Sequence, residues 1–188
     1  MKIVGLAGSI VGSKTRNAMN YLSKEISENY RDIEFTLLDL ADYDIQFSDG
    51  RDYLEYEGDT GYVTKKIMEA DAVIIGTPIF QASIPATLKN IFDLLPANAF
   101  LDKVVGMFVT AGTSKHYLVA EQQLKMVLAY MKAQIVQSYV FIEENDFYRK
   151  KIINEDVIVR LNRLIEDTII LTKTYSSIRK AREAEYNF

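Results

Sequence analysis

The sequence predicts a doubly wound α/β fold built on a five-stranded parallel sheet, and three observations carry that prediction. Short apolar runs rich in β-branched residues recur along the chain, and segments with helical spacing lie between them. Most of the runs lack the polar alternation of a sheet with one wet face, so they suit strands covered on both sides. Strand-helix alternation with right-handed crossovers puts helices on both faces, and five such strands suggest the order 2-1-3-4-5.

The first strand is expected over residues 2–7, an apolar run cut short by Gly8-Ser9, and the first helix over 15–28. A second run, 34–40, alternates polar and apolar residues better than the others and reads as an edge strand. Residues 42–62 are rich in Tyr and Asp, hold Gly50, Gly58 and Gly61 and show no periodicity, which predicts a long surface loop before a helix at 64–69. A strand is expected at 72–76 and a helix at 84–94, with Ser83 as its N-cap and Pro85 in its first turn. Then come a strand at 104–110, a helix at 117–131, a strand at 135–142 and a long helix from 155 to about 175. Residues 176–188 mix Arg, Lys and Glu and read as a fraying helix end or an oligomer contact.

With 188 residues, 48% hydrophobic and 26% charged, the chain suits one globular domain spanning 1–188 with a sizeable core. A net charge of -4 argues against nucleic acid, whose non-specific binding rests on clustered Lys and Arg. The absence of cysteine excludes disulfides, thiolate metal sites and Cys nucleophiles, so redox chemistry requires a borrowed cofactor. A lone histidine, His116, rules out a multi-histidine metal site. No export signal is visible and no apolar run approaches the roughly 20 residues that span a bilayer, so a cytoplasmic protein without a membrane partner is expected.

Ligands in open α/β sheets bind beyond the carboxyl ends of the strands, and three turns there carry unusual residues. The first runs from Gly8 through Ser9, Ser13, Lys14, Thr15 and Arg16 to Asn17. Glycines allow close approach, while the hydroxyls of Ser9, Ser13 and Thr15, backbone N–H groups and the helix dipole can all converge on one phosphate. Lys14 and Arg16 add charge; the plainer alternative is a glycine turn in which Ser13 or Thr15 serves only as a helix cap. The spacing also approaches a Walker A motif, but Ser13 replaces the second glycine and the buried strands offer no carboxylate for magnesium. The second turn holds Pro78, Ile79, Phe80 and Gln81, a mixture of apolar groups and backbone amides suited to a flat heteroaromatic ring. The third, Thr110, Ala111, Gly112 and Thr113, leaves room for a ligand by its small side chains.

With these turns placed, the chain resembles the NAD(P)H-dependent FMN reductases of the flavodoxin-like superfamily over nearly all its length. Pro78-Ile79-Phe80-Gln81-Ala82-Ser83, followed by Leu88-Lys89-Asn90-Ile91-Phe92-Asp93-Leu94, resembles that family's Pro-x-Tyr-x-x-Ser and Leu-Lys-x-x-x-Asp-x-Leu patterns, with Phe80 in place of Tyr. Leu101-Asp102-Lys103-Val104-Val105, Thr110-Ala111-Gly112-Thr113, His116 and Val127-Leu128-Ala129 are most similar to the FMN reductase of the alkanesulfonate monooxygenase system. Two departures stand out. Val11 occupies a place where the family commonly has Arg, and Gln122 stands where that subgroup inserts a Tyr associated with a π-bulge at a tetramer interface.

The resemblance implies that Ser9, Ser13, Thr15 and their amides hold the FMN phosphate, and that residues 78–81 and 110–113 frame the isoalloxazine. It implies hydride transfer from NADPH or NADH to FMN, with the reduced flavin released or used on a quinone, azo compound or other small-molecule acceptor. It also implies a homodimer or homotetramer, with a flavin-dependent monooxygenase among the recipients of reduced flavin. No catalytic acid or base is needed from the chain. Two other readings stay open on sequence alone: an FMN-binding electron carrier without NAD(P)H activity and, with less support, a P-loop phosphotransferase.

Overall fold

The structure, a computed structural model, describes residues 1–186. Its centre is a parallel sheet in which β1 (Lys2–Ala7) is flanked by β2 (Glu34–Asp39) and β3 (Ala72–Pro78), and β3 is flanked in turn by β4 (Val104–Ala111). Two short strands, β5 (Gln134–Ile135) and β6 (Val140–Glu143), both pair with β4 and complete the flavodoxin-like order β2-β1-β3-β4-β5. β2 lies at the edge of the sheet, as expected, with burial that rises along the strand toward Leu38 and Asp39.

Side chains of successive strand residues point to opposite faces, so each apolar run feeds two cores. Ile3, Ala72, Ile74, Val104 and Phe108 pack under α1 (Lys14–Asn29) and α5 (Glu155–Tyr186), meeting Ala18, Met19, Leu22 and Ile26 from the first and Val157, Leu161 and Leu164 from the second. Val4, Leu6, Val73, Ile75, Val105 and Met107 face the other way, toward α2 (Gly58–Glu69), α3 (Ala86–Leu94) and α4 (Lys125–Tyr130). Both faces are covered, and the carboxyl ends of β1, β3 and β4 emerge side by side.

Four expectations need correction. The last strand is split because five positions from Ile135 to Val140 advance against three from Val105 to Phe108, so the intervening residues leave the ladder and the sheet has six strands. α2 begins at Gly58, inside the stretch read as loop. Its polar first turn is held by the segment before it, with Asp59 and Thr60 side chains accepting the backbone N–H groups of Asp44 at 2.8 Å and Gln46 at 2.9 Å. Ser83 does not cap α3, where Pro85 occupies the N-cap position. In place of the single helix expected over 117–131, a π-helical turn (Ala120–Leu124) leads into α4, and a 3-10 turn (Ser114–His116) precedes them.

The π turn includes Gln122, so the irregularity is present without the Tyr that the resemblance linked to it. α5 runs on beyond residue 175 through the basic and acidic tail, anchored by Arg179 to Asp102 at 3.3 Å; Asn187 and Phe188 lie outside the described residues. A hairpin of β7 (Phe147–Tyr148) and β8 (Lys151–Ile152), not expected from sequence, precedes it. Among the described residues no helix is long and apolar enough to cross a membrane.

Candidate functional site

The loop after β1 is folded against its neighbours before any ligand is considered. Gly8 N–H donates to the Gly76 carbonyl at 2.8 Å, and Thr87 Oγ1 donates to the Gly8 carbonyl at 2.9 Å. Gly12 has a φ of +84°, a conformation glycine adopts without steric cost. Ser9 is buried, and its hydroxyl closes a small turn, accepting from Val11 N–H at 3.1 Å and donating to the Val11 carbonyl at 2.8 Å.

Ser13 occupies the N-cap position of α1 without a side-chain capping bond, and no acidic residue stands in the first turn. The first-turn amides are thus not spent on a side-chain cap, and Ser13, Lys14 and Thr15 border the cavity described below, a setting that favours an anion. Thr15 is buried, its Oγ1 within 2.8 Å of Thr110 Oγ1. Lys14 Nζ lies 2.7 Å from a Glu144 carboxylate oxygen, and Glu144 reaches in from the 3-10 turn after β6.

The loop after β3 runs next to the end of β4, with Ile79 N–H donating to the Thr110 carbonyl at 3.1 Å. Phe80 is 41% exposed and stands at the head of a tight turn. Phe80 and Ser83 exchange two backbone bonds of 2.9 Å, and Gln81 and Ala82 between them have φ of +50° and +55°.

Together these loops enclose an open cavity of about 360 Å³ lined by Val11 to Thr15, Pro78 to Phe80 and Thr110 to Gly112. The structure thus brings nine sequence-selected residues around one space: Ser13, Lys14, Thr15, Pro78, Ile79, Phe80, Thr110, Ala111 and Gly112. Ser9, Arg16, Asn17, Gln81 and Thr113 do not line it. Arg16 is bonded by its Nε to Asp39 and by Nη2 to Asp42 at 2.6 Å. Those carboxylates, Asp39 foremost, hold its pKa above the ordinary guanidinium value. His116 is exposed in the 3-10 turn after β4 and is also outside the lining.

Sequence reasoning missed Glu144 and Gln123. The first lies after a strand that was read as ending at 142, and the second reaches the loop after β3 from a helix forty residues away in sequence, a pairing no local pattern reveals. Among the described residues no group of three or more His, Asp or Glu side chains could hold a metal.

The donor set fits a phosphorylated flat ring. Amides, hydroxyls and one lysine meet at the start of α1, while apolar and small groups border the rest of the cavity. FMN combines these two chemistries, and the unspent N-terminal amides of α1 match its phosphate.

Comparison with known proteins points the same way. Residues 1–147 match the family described as NADPH-dependent FMN reductase. The chain is 36% identical over 170 residues to an NAD(P)H-dependent FAD/FMN reductase of Geobacillus thermodenitrificans, covering 90% of this chain and 92% of that one. It is 28% identical to the NADH-dependent FMN reductase SfnF of Pseudomonas fluorescens, over 93% of this chain and 94% of the relative. Among solved structures, the apo form of the NADH:FMN oxidoreductase EMOB superposes with a TM-score of 0.74 at 24% identity, covering 89% of this chain and 87% of that one, which bears on the fold alone.

Proposed function

The chain belongs to the NADPH-dependent FMN reductase family, and from that premise we propose that it binds FMN in the cavity described above and reduces it with NADPH or NADH. The observation that carries the reading is the convergence of the three loops, each from a different strand end, on one space with an anion-binding end and an apolar end.

In this reading the amides of the first turn of α1, with the hydroxyls of Ser13 and Thr15 and the ammonium of Lys14, hold the phosphate. Pro78, Ile79 and Phe80 border one side of the ring, and Thr110, Ala111 and Gly112 the other. Ser9 acts one step back by fixing the turn at Val11, and Arg16 by joining α1 to the end of β2.

When bound, FMN supplies the redox chemistry, accepting a hydride from the nicotinamide and passing electrons to a small-molecule acceptor. The protein contributes position and an open mouth through which a second planar ring can stack, so no general acid or base is required of the chain. Residues 1–188 act as a single FMN-binding domain, working in the cytoplasm where reduced nicotinamide nucleotides are supplied.

The working unit is a homodimer or homotetramer, and a flavin-dependent monooxygenase is one recipient of its reduced flavin. Support for self-association comes from an apolar groove of about 500 Å³ between α3 and α4, lined by Phe92, Leu95, Val127 and Met131 and edged by the exposed Met126 and Tyr130. Titration of the protein with FMN, followed by anaerobic addition of NADPH or NADH, tests the reading. Loss of visible flavin absorbance at catalytic protein concentration supports it, and a protein that binds no FMN overturns it.

A further inference from the structure

The turn after β3 is built from the wrong residues for its shape. Two-residue turns closed by a reciprocal pair of backbone bonds, with positive φ at both central positions, favour Asn-Gly or Asp-Gly because a β-carbon resists that region. This chain places Gln81 and Ala82 there. Backbone held in a sparsely populated region persists only where surrounding structure over-determines it, and it clusters at functional sites.

The over-determining element is Gln123. Its Oε1 accepts the Ser83 hydroxyl at 2.7 Å and the Ile84 N–H at 3.3 Å, and its Nε2 donates to the Ala82 carbonyl at 3.4 Å. One side-chain amide therefore grips the chain at three successive residues, Ala82 within the strained centre and Ser83 and Ile84 just after it. Gln123 sits in the π turn Ala120–Leu124, an irregularity found often at functional sites. The wider turn keeps Ala120, Leu124 and Leu128 in the core while Gln123 is presented to the loop after β3. Ser83, drawn to Gln123, is thereby unavailable as a helix cap.

We infer that Gln123 is a positioning residue: it holds the strained Phe80–Ser83 turn in the geometry that forms one wall of the cavity, and so sets how tightly that wall grips the ring of a flavin. The part about grip rests on the function proposed above. Phe80 connects the two, being both a residue of the turn and a residue of the lining.

Two measurements on the full chain test this. The first is amide exchange at Phe80 and Ser83 in flavin-free protein; the second is the dissociation constant of FMN and of riboflavin, which shares the ring and lacks the phosphate. Gln123→Met keeps the side chain's length and removes its hydrogen bonds. It is expected to speed exchange at both amides and to weaken both flavins by about three- to tenfold, the effect of losing one or two ordinary hydrogen bonds. Gln123→Glu keeps the accepting oxygen and is expected to retain most of the affinity. Ala82→Gly relieves the strain at its source, so adding it to Gln123→Met restores slow exchange and ring affinity.

Unchanged exchange and affinity in Gln123→Met overturn the inference. So does a loss that Ala82→Gly does not recover, since that marks general damage to the helix. Wild-type protein that binds neither flavin overturns the functional reading and the claim of grip, while the exchange data still decide whether Gln123 holds the turn.

Discussion

Thr15 Oγ1 and Thr110 Oγ1 share a buried hydrogen bond of 2.8 Å that ties the first turn of α1 to the end of β4 beneath the cavity. Both side chains are buried, and no buried side-chain polar atom among the described residues lacks a partner. Thr15→Val removes one hydroxyl and leaves the other without that bond, which is expected to cost about 1–3 kcal/mol of stability. Thr110→Val is expected to cost a similar amount. The double variant should cost clearly less than the two added together, because residues that share a bond couple. Urea denaturation of the four proteins measures this, and strict additivity contradicts it.

Lys14 and Glu144 form a pair at the lip of the cavity, partly open to solvent on the lysine side and mostly exposed on the glutamate side. Exposed pairs contribute about 0–1 kcal/mol, so Glu144→Gln should leave the denaturation midpoint nearly unchanged. Binding is where the pair matters. Glu144 competes with an incoming phosphate for the same ammonium, so Glu144→Gln should tighten FMN, and Lys14→Ala should weaken it, by about three- to tenfold at low salt. Riboflavin, lacking the phosphate, should respond to neither change. Equal effects on FMN and riboflavin contradict the assignment of Lys14 to the phosphate end.

Asp49 stands in the segment between β2 and α2, where the Arg51 guanidinium contacts its carboxylate at 2.9 Å and 3.0 Å and the Tyr56 hydroxyl donates to it at 2.8 Å. These partners, Arg51 foremost, hold the carboxyl well below the usual carboxylate range. A group whose pKa is depressed by folding stabilises the folded state above its unfolded value, near 4, and loses that contribution as pH falls further. The stability difference between the wild type and Asp49→Asn should therefore be largest at neutral pH and shrink below about pH 4. Denaturation midpoints at a series of pH values check the direction; a difference that grows with acid contradicts it.

How much of this was legible in the sequence depended on whether the signal was local. β1 and β4 fall within a residue of the expected bounds because a buried parallel strand must be apolar on both faces, and Ile3 to Ala7 and Val104 to Val109 are. The split between β5 and β6 left no trace, since skipped register on β4 is a property of the pair. The first turn of α2 carries Gly58, Asp59, Thr60 and Gly61, which read as loop; only the capture of Asp44 and Gln46 amides makes it a helix start. Position at the strand ends alone located most of the cavity. It also selected Arg16, which lies outside the lining because each helical step turns about 100°, so the residue after buried Thr15 points to Asp39 and Asp42.

Gly76 is the place where the sheet itself limits the site. It pairs with Phe108 across β3 and β4, and a β-carbon built on it would overlap the Phe108 ring, which is fully buried. Overpacking a filled interior forces side chains off their rotamers and shifts backbone, so Gly76→Ala is expected to cost about 1–3 kcal/mol. The shift would fall two residues before Pro78, whose seat in the ladder opposite Thr110 sets the cavity wall, so FMN affinity should fall along with stability. Trimming the obstacle reverses the logic. In the Gly76→Ala background, Phe108→Leu should cost less than it does in the wild type, because the smaller side chain vacates the space the new methyl needs. Denaturation midpoints of the four proteins decide between this and a ring that moves aside freely, for which Gly76→Ala alone would be neutral.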